Sequence, residues 1–274
     1  MSGKERADVA LIRRGLFASR EKAQAAIMAG QVYRGENRIN KASEMVDETE
    51  QLLVRGSEKN YVSRGALKLE KAVDVFDIHL KDRVVLDIGA STGGFTDVCL
   101  QKGAKMVYAV DVGYGQLDWK LRNDPRVIVM ERTNARYLTK EMFPVRPEMT
   151  VMDVSFISIE LIIPVAAEIM GNEGVFYTLI KPQFEAGRGK VGKKGVVRDE
   201  EVHIEVLQKI VSFTESIGWH TARLDYSPIT GPEGNIEFLA EIQKQKKESV
   251  IMDRQEIRDL VHSAHQAFSN SVLA

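Results

Sequence analysis

The sequence predicts an α/β protein: a mostly parallel sheet with helices on both faces, its last strand antiparallel, preceded by a small α+β module. Three observations carry that expectation. From residue 83 onward, apolar strand-like runs alternate with helical segments, the pattern of parallel strands joined by crossover helices. The first run, Val84-Val85-Leu86-Asp87-Ile88, leads directly into the glycine-rich turn Gly89-Ala90-Ser91-Thr92-Gly93-Gly94. Before residue 56 the texture is different, with two short helical patterns followed by small strand-like pieces.

In chain order, residues 7–15 and 19–30 read as two helices, each ending at a glycine suited to the left-handed position past a helix end. Ser19 is the expected N-cap of the second. Short strands follow at 31–33 and 51–54, separated by the polar stretch 34–50. Residues 56–60 are polar and without periodicity, and read as a linker. The division expected is therefore 1–56, 61–243 and a helical tail, 244–274. Strands of the larger region are expected at 83–88, 106–110, 127–130, 150–153 and 174–180, with a closing pair at 219–226 and 235–242. An amphipathic helix over 199–217 would bury Val202, Val206, Ile210 and Val211, and it carries acidic residues at its start, where the helix dipole favours them.

Composition narrows the function. At 274 residues, 44% apolar and 28% charged, the chain has the make-up of a globular protein of one large domain plus a smaller module. Lys and Arg number 38 against 39 Asp and Glu, so any basic surface must be local. The single cysteine, Cys99, cannot form an internal disulfide, which fits a cytoplasmic location, and it is expected as a packed thiol. No charged n-region and apolar h-region open the chain, and its most apolar stretch, 161–170, contains Pro164 and Glu168 and is too short to cross a bilayer. No metal framework stands out; His262 and His265 lack further ligands and are expected on the surface.

The glycine turn is the clearest site signal. Gly89, Gly93 and Gly94 would let backbone approach a ligand at the carboxyl end of the first strand, where open α/β sheets bind ligands. The spacing is not that of a dinucleotide fingerprint. An aspartate, Asp87, precedes the turn and suits a cationic amino group, such as that of S-adenosylmethionine (SAM), better than a pyrophosphate. Asp111 ends the second strand, where a carboxylate can accept ribose hydroxyls. Ser91, Phe95 and Asn134 complete the expected cofactor set, with Asn134 at the adenine edge. Trp119 either packs on the sheet or lines an adenosine pocket.

Four further residues sit where an active site could collect them. Asp153 ends the fourth strand, and Lys181 ends the fifth just before Pro182, behind an apolar run that partly desolvates the amine. Lys68 precedes the first strand on a helix that could fold back over the same edge, and Glu237 lies in the last strand. Taken singly, each also reads as an ordinary exposed charge. Together, in order and context, they resemble the Lys-Asp-Lys-Glu tetrad of FtsJ-like ribose 2′-O-methyltransferases. The motifs Ser63-Arg64-Gly65-Ala66-Leu67-Lys68-Leu69, Asp153-Val154-Ser155-Phe156 and Lys181-Pro182-Gln183-Phe184-Glu185 extend the likeness. With the amino-terminal module included, the chain resembles the TlyA family, the so-called hemolysin A proteins that methylate ribosomal RNA.

That resemblance implies an S4-like RNA-binding domain followed by a Rossmann-like SAM-dependent methyltransferase domain, with SAM as cofactor and ribosomal RNA in ribosomal subunits as partner, cytidine being its target nucleoside. Lys181 would be the base. The apolar run before it and the charge of Lys68 favour its neutral form, while Asp153 and Glu237 hold the two amines. RNA needs a basic track. Arg13, Arg14, Arg20 and Lys22 are expected to converge around the turn 15–19, and Arg188, Lys190, Lys193 and Lys194 form a second cluster in the glycine-rich loop 187–195. Arg6 and Arg64 are added as RNA contacts. Two alternatives stand beside this reading: a membrane-active hemolysin without stable membrane insertion, and an RNA-binding protein whose methyltransferase domain is inactive.

Overall fold

A computed structural model describes residues 4–17, 19–28, 30–35, 37–47, 50–54, 61–192, 194–244 and 253–270. The expected linker 56–60 and Lys193 fall outside these residues. The chain forms two compact units, 1–60 and 61–274.

In the smaller unit, β1 (Lys4–Arg6) runs into α1 (Ala7–Arg13), followed by α2 (Arg20–Met28), β2 (Val32–Arg34), β3 (Asn37–Arg38), β4 (Met45–Asp47) and β5 (Leu52–Val54). Gly15 and Gly30 take φ of +71° and +74°, and the residue after each returns its N–H to the helix, Leu16 to Leu11 and Gln31 to Ala26, as a left-handed helix stop requires. The Ser19 hydroxyl accepts the Lys22 N–H at 3.3 Å, closing the start of α2. The stretch 34–50, expected to be only a polar connection, holds β3 and β4. Two- and three-residue strands are too short to leave a periodic signal. They pair in two small sheets, β1 with β4 and β3-β2-β5. Ala7, Ala10, Leu11, Ala23, Ile27, Val32, Ile39 and Val46 are buried between the helices and these strands.

The larger unit begins with α3 (Ala66–Val75) and proceeds through β6 (Val84–Ile88), α4 (Gly94–Gln101), β7 (Met106–Val110), α5 (Trp119–Arg122), β8 (Val127–Met130), β9 (Met149–Met152), α6 (Ile163–Met170), β10 (Val175–Ile180), α7 (Pro182–Glu185), α8 (Glu200–Ser216), β11 (His220–Tyr226), β12 (Phe238–Gln243) and α9 (Arg254–Asn270). The sheet order is β11-β12-β10-β9-β6-β7-β8. The pairs from β10 through to β8 are parallel, while β12 is antiparallel to both its neighbours.

Alternation along the strands divides the core into two layers. Val84, Leu86, Ile88, Phe176 and Ile180 face one side with α6, α8 and α9, whereas Val85, Val151, Tyr177 and Leu179 face the other with α3 and α4. A helix spans 200–216 as expected, capped by Asp199, whose side chain accepts the Glu201 N–H. Its buried stripe is His203, Ile204, Val206, Leu207 and Ile210, with Val202 and Val211 only half buried. The tail expected to be a separate charged helix is part of this unit. Helix α9 buries Ile257, Val261 and Ala264 against the same core as α8.

Candidate active site

Strand register decides which side chains meet at the carboxyl edge of the sheet. Strands β6 and β9 are in step through Ile88 and Met152, so Gly89 and Asp153 leave the sheet side by side, and the Asp153 N–H donates to the Ile88 carbonyl at 3.0 Å. Between β9 and β10 the ladder ends with Met152 level with Thr178, and Ser155 and Lys181 each lie three residues past that pair. The antiparallel pairing of Ile180 with Phe238 brings Glu237 to the same edge as Lys181. Lys68 arrives from the first turn of α3.

The four predicted heads form one chain of contacts. Lys68 Nζ donates to Glu237 Oε2 at 2.6 Å and lies 3.6 Å from Asp153 Oδ2. Lys181 Nζ lies 2.6 Å from Asp153 Oδ1 and donates to Ser155 Oγ at 2.9 Å. Side-chain exposures are 8% for Lys68, 10% for Lys181, 19% for Asp153 and 1% for Glu237. Buried charges are tolerated when each has a partner, and two amines against two carboxylates cancel. Glu237 sits just ahead of β12 rather than inside the last strand, because the ladder begins only at Phe238.

The cofactor candidates fall around the switch point between β6 and β9, where the chain order of the sheet reverses. Asp111 receives the Ser91 N–H on Oδ2 at 2.8 Å and the Gly113 N–H on Oδ1 at 2.7 Å, which fixes its carboxylate. Asp87 is fully enclosed. Its Oδ2 accepts the Thr96 hydroxyl at 2.6 Å and its Oδ1 has no partner. Burial, with the charges of Asp153 and Asp111 adding to it and the Thr96 hydrogen bond opposing, pushes the Asp87 carboxyl up to about 7. Asn134 is exposed and caps a short turn by accepting the Arg136 N–H at 3.0 Å.

The glycines serve the fold more directly than expected. A side chain on Gly89 would run into the Asp153 carbonyl, one on Gly93 into Leu121, and one on Gly94 would press on the Ala66 N–H and Ser63. The protein's own packing thus accounts for their missing side chains. Phe95 is buried in the α3–α4 layer, leaving only its backbone near the turn. Trp119 is 75% exposed, so it does not pack on the sheet. Cys99 is fully buried, as a packed thiol should be, and burial raises its pKa.

Sequence reasoning passed over several residues of the site. The loop after β9 carries Phe156, 90% exposed at φ +64°, a backbone region costly for a bulky residue. Its ring lies 5.1 Å from that of Phe184. Both line a groove of about 800 Å³ with Arg136, Ser158, Leu161 and Gln183. Glu185 straps this loop to the Lys181 segment. It accepts the Ser158 hydroxyl at 2.6 Å and the Ile159 N–H at 2.9 Å, and burial raises its carboxyl above the usual range against those hydrogen bonds and Lys209. Ser155, Phe156 and Glu185 all lay inside motifs already singled out, but nothing in a one-dimensional pattern pairs them.

The expected basic tracks are partly engaged by the protein itself. Arg13 pairs with Glu5, Arg14 donates to the carbonyls of Asp47 and Glu50, and Arg20 donates to Asp8 at 2.9 Å, so they do not converge freely on the turn 15–19. Arg6 also binds Asp8, through Nε at 3.0 Å and Nη2 at 3.1 Å. Asp8 is fully buried, and Arg6, helped by Gln24 and Arg20, holds its carboxyl well below the usual range despite burial. Lys22 and Arg64 are exposed. In the larger unit Lys190 pairs with Glu205, Lys194 is exposed, and the Arg188 side chain is outside the described set. His265 is not a plain surface residue: its Nε2 lies 2.8 Å from Nδ1 of the fully buried His203, whose pKa burial lowers to about 4.

Among the described residues there is no cluster fit to hold a metal ion. Comparisons with known proteins converge on one family. The FtsJ-like methyltransferase family model matches residues 61–244, and the S4 domain model matches residues 5–52. A Bacillus subtilis (strain 168) protein named "Putative rRNA methyltransferase YqxC" is 52% identical over 97% of this chain and 95% of its own length. The Mycobacterium tuberculosis "16S/23S rRNA (cytidine-2′-O)-methyltransferase TlyA" is 42% identical over 96% of this chain and 98% of its own. A solved structure described as "Putative hemolysin from Streptococcus thermophilus" matches with a TM-score of 0.77 and 45% identity, covering 100% of both chains. With an S4 module ahead of a methyltransferase sheet and near-full-length likeness to these proteins, the chain belongs to the TlyA family of FtsJ-like methyltransferases.

Proposed function

We propose that this protein transfers the methyl group of SAM to a ribose 2′-hydroxyl of ribosomal RNA, with cytidine as the target nucleoside. The observation that carries the proposal is the contact chain Glu237–Lys68–Asp153–Lys181 at the carboxyl edge of the sheet, beside the glycine turn. The relative from M. tuberculosis supplies the nucleoside and the ribosomal substrates by its name.

The residues present fit SAM. Asp87 Oδ1 is a buried oxygen without a donor, suited to the cationic amino-acid end. Asp111 is half buried with both carboxylate oxygens anchored, and each keeps a lone pair for a ribose hydroxyl. Ser91 and Gly89 frame the turn between them, and Asn134 is assigned to the adenine. When bound, SAM supplies a methyl on a positively charged sulfur, open to in-line attack.

A ribose hydroxyl is a poor nucleophile until its proton is taken, and Lys181 is assigned that role. Asp153, lying between the amines, holds both in place, and Glu237 completes the pairing of Lys68. The hydroxyl must be held in line, and positioning of this kind supplies much of the rate in two-substrate reactions. Phe156 and Phe184 offer an unstacked base an aromatic surface beside the tetrad, the way single-stranded RNA is usually held. Phosphate contacts are assigned to Arg6, Arg13, Arg20 and Lys22 of the S4 module, and to Arg64, Arg188, Lys190, Lys193 and Lys194 of the methyltransferase unit. Arg14, tied to two carbonyls, keeps less of its fork for RNA. A cytoplasmic place of action follows from the ribosomal substrate.

Tritiated SAM incubated with ribosomal subunits, followed by nucleoside mass spectrometry, tests the proposal. Label on a ribose oxygen is expected; label on a base atom, or none, overturns it. Removing residues 1–56 should weaken RNA binding and flatten its salt dependence. Among the described residues no helix is long and apolar enough to cross a membrane. Dye release from liposomes without methyl transfer would favour the membrane-active alternative, and RNA binding without SAM binding would favour an inactive methyltransferase domain.

A further inference from the structure

The geometry points to Ser155 as a positioning residue that aims the lone pair of Lys181. This rests on the reading of Lys181 as the base. A neutral primary amine has four tetrahedral directions at nitrogen: one bond to carbon, two N–H bonds and one lone pair. Lys181 Nζ donates to Ser155 Oγ at 2.9 Å, while Asp153 Oδ1 lies 2.6 Å away as an ion-pair contact that makes no hydrogen bond. With one N–H fixed on Ser155 and the Asp153 carboxylate repelling the lone pair, rotation about the terminal C–N bond is stopped and the lone pair is left the single remaining direction. With Asp153 alone, the amine keeps that rotation and the lone pair sweeps past the hydroxyl it must meet.

The surroundings support the assignment. Lys181 is almost wholly buried, so water supplies little of this orientation, whereas Ser155 is on the exposed side of the pair. Ser155 and Lys181 each lie three residues past the last pair of the parallel β9–β10 ladder, Met152 with Thr178. The loop that carries Ser155 is fastened three and four residues later by Glu185, from the same segment that carries Lys181. Lys68, by contrast, is held by carboxylates on two sides, a setting for a fixed charge.

The test compares Ser155→Ala and Ser155→Thr with wild type and with Lys181→Ala, using full-length enzyme, ribosomal subunits and SAM across a pH range. Ser155→Ala should lower kcat roughly ten-fold or more, part of the ~10²–10⁴ available to a well-placed base, with KM for both substrates unchanged. Its acid limb should move to lower pH, because an acceptor that favours the ammonium form is gone. Ser155→Thr, which keeps the hydroxyl, should restore both kcat and the limb. A wild-type kcat and pH profile in Ser155→Ala, or a change confined to KM, overturns the inference. A threonine variant as slow as the alanine variant, with native circular dichroism, also overturns it. Persistent transfer by Lys181→Ala would instead remove the base assignment itself, so the two failures are distinguishable.

Discussion

Two sites in this molecule share one plan, an acid between two cations, and use it oppositely. In the S4 module, buried Asp8 binds Arg6 and Arg20, whose side chains remain 42% and 52% exposed. In the methyltransferase unit, Asp153 lies between Lys68 and Lys181, which are 8% and 10% exposed. Arginine cannot give up its proton in a protein, and a guanidinium tethered by part of its fork still offers N–H groups to a phosphate. Lysine can deprotonate, and an enclosed amine is shielded from water that would compete for the substrate proton. The difference in residue type and exposure therefore separates a surface suited to presenting charge from a site suited to the proton transfer proposed above.

The sharpest way to break that comparison is to exchange the cations. Lys181→Arg keeps a positive charge beside Asp153 but cannot act as a base, so methyl transfer should fall by at least ~10²-fold while SAM binding persists. Substantial activity in this variant, measured by label transfer, would reduce the tetrad to an electrostatic device. The converse exchange, Arg20→Lys, should cost only a few-fold in RNA affinity, since a phosphate accepts either cation.

Next in size is the strap. Glu185→Ala releases the loop carrying Asp153, Ser155 and Phe156, and should lower kcat by roughly ten-fold, because catalytic groups displaced by about 1 Å lose much of their effect. Glu185→Gln keeps one acceptor and should fall between. Equal kcat in all three proteins would show that the loop holds its shape without the strap.

Smaller still is the effect of Asp8→Ala on RNA binding. The variant is one charge more positive, so bulk electrostatics predicts tighter binding, whereas loss of the fixed Arg6–Arg20 pair predicts binding weaker by a few-fold. We expect the weakening, read from filter binding at fixed salt; tighter binding would mean that only net charge matters.

The last prediction concerns stability rather than rate or RNA affinity. The Asp87 carboxyl holds its proton up to about 7 in the folded state, whereas an unfolded aspartate releases it near ~3.9. The folded form thus binds the extra proton between those values, and its stability falls as pH rises through that window, by up to ~1 kcal/mol per pH unit. Asp87→Asn should remove this slope in denaturant titrations at pH 5 and pH 8. An unchanged slope would place the titration elsewhere.

Much of the candidate site was legible because its markers are local. The apolar run before Pro182 places Lys181 at a strand end, and the run before Gly89 places Asp87. The partners were not legible. Ser155 meets Lys181 because β9 and β10 are in one particular register, and a one-residue slip would turn a different side chain to the amine. The same limit hid Arg13's pairing with Glu5 and the His203–His265 contact, which depend on how β1 meets α1 and how α9 lies on α8. Strands β3 and β4 escaped notice because so few residues cannot show a period.

Sequence alone determined the alternation of strands and helices, the two-part chain and the residue types able to do the chemistry, since backbone preference and hydrophobic period act over a few residues. Only the tertiary structure decided which charges are enclosed and which face water. Burial and ion pairing are set by contacts between residues far apart in the chain, such as Lys68 and Glu237, and no local pattern records them.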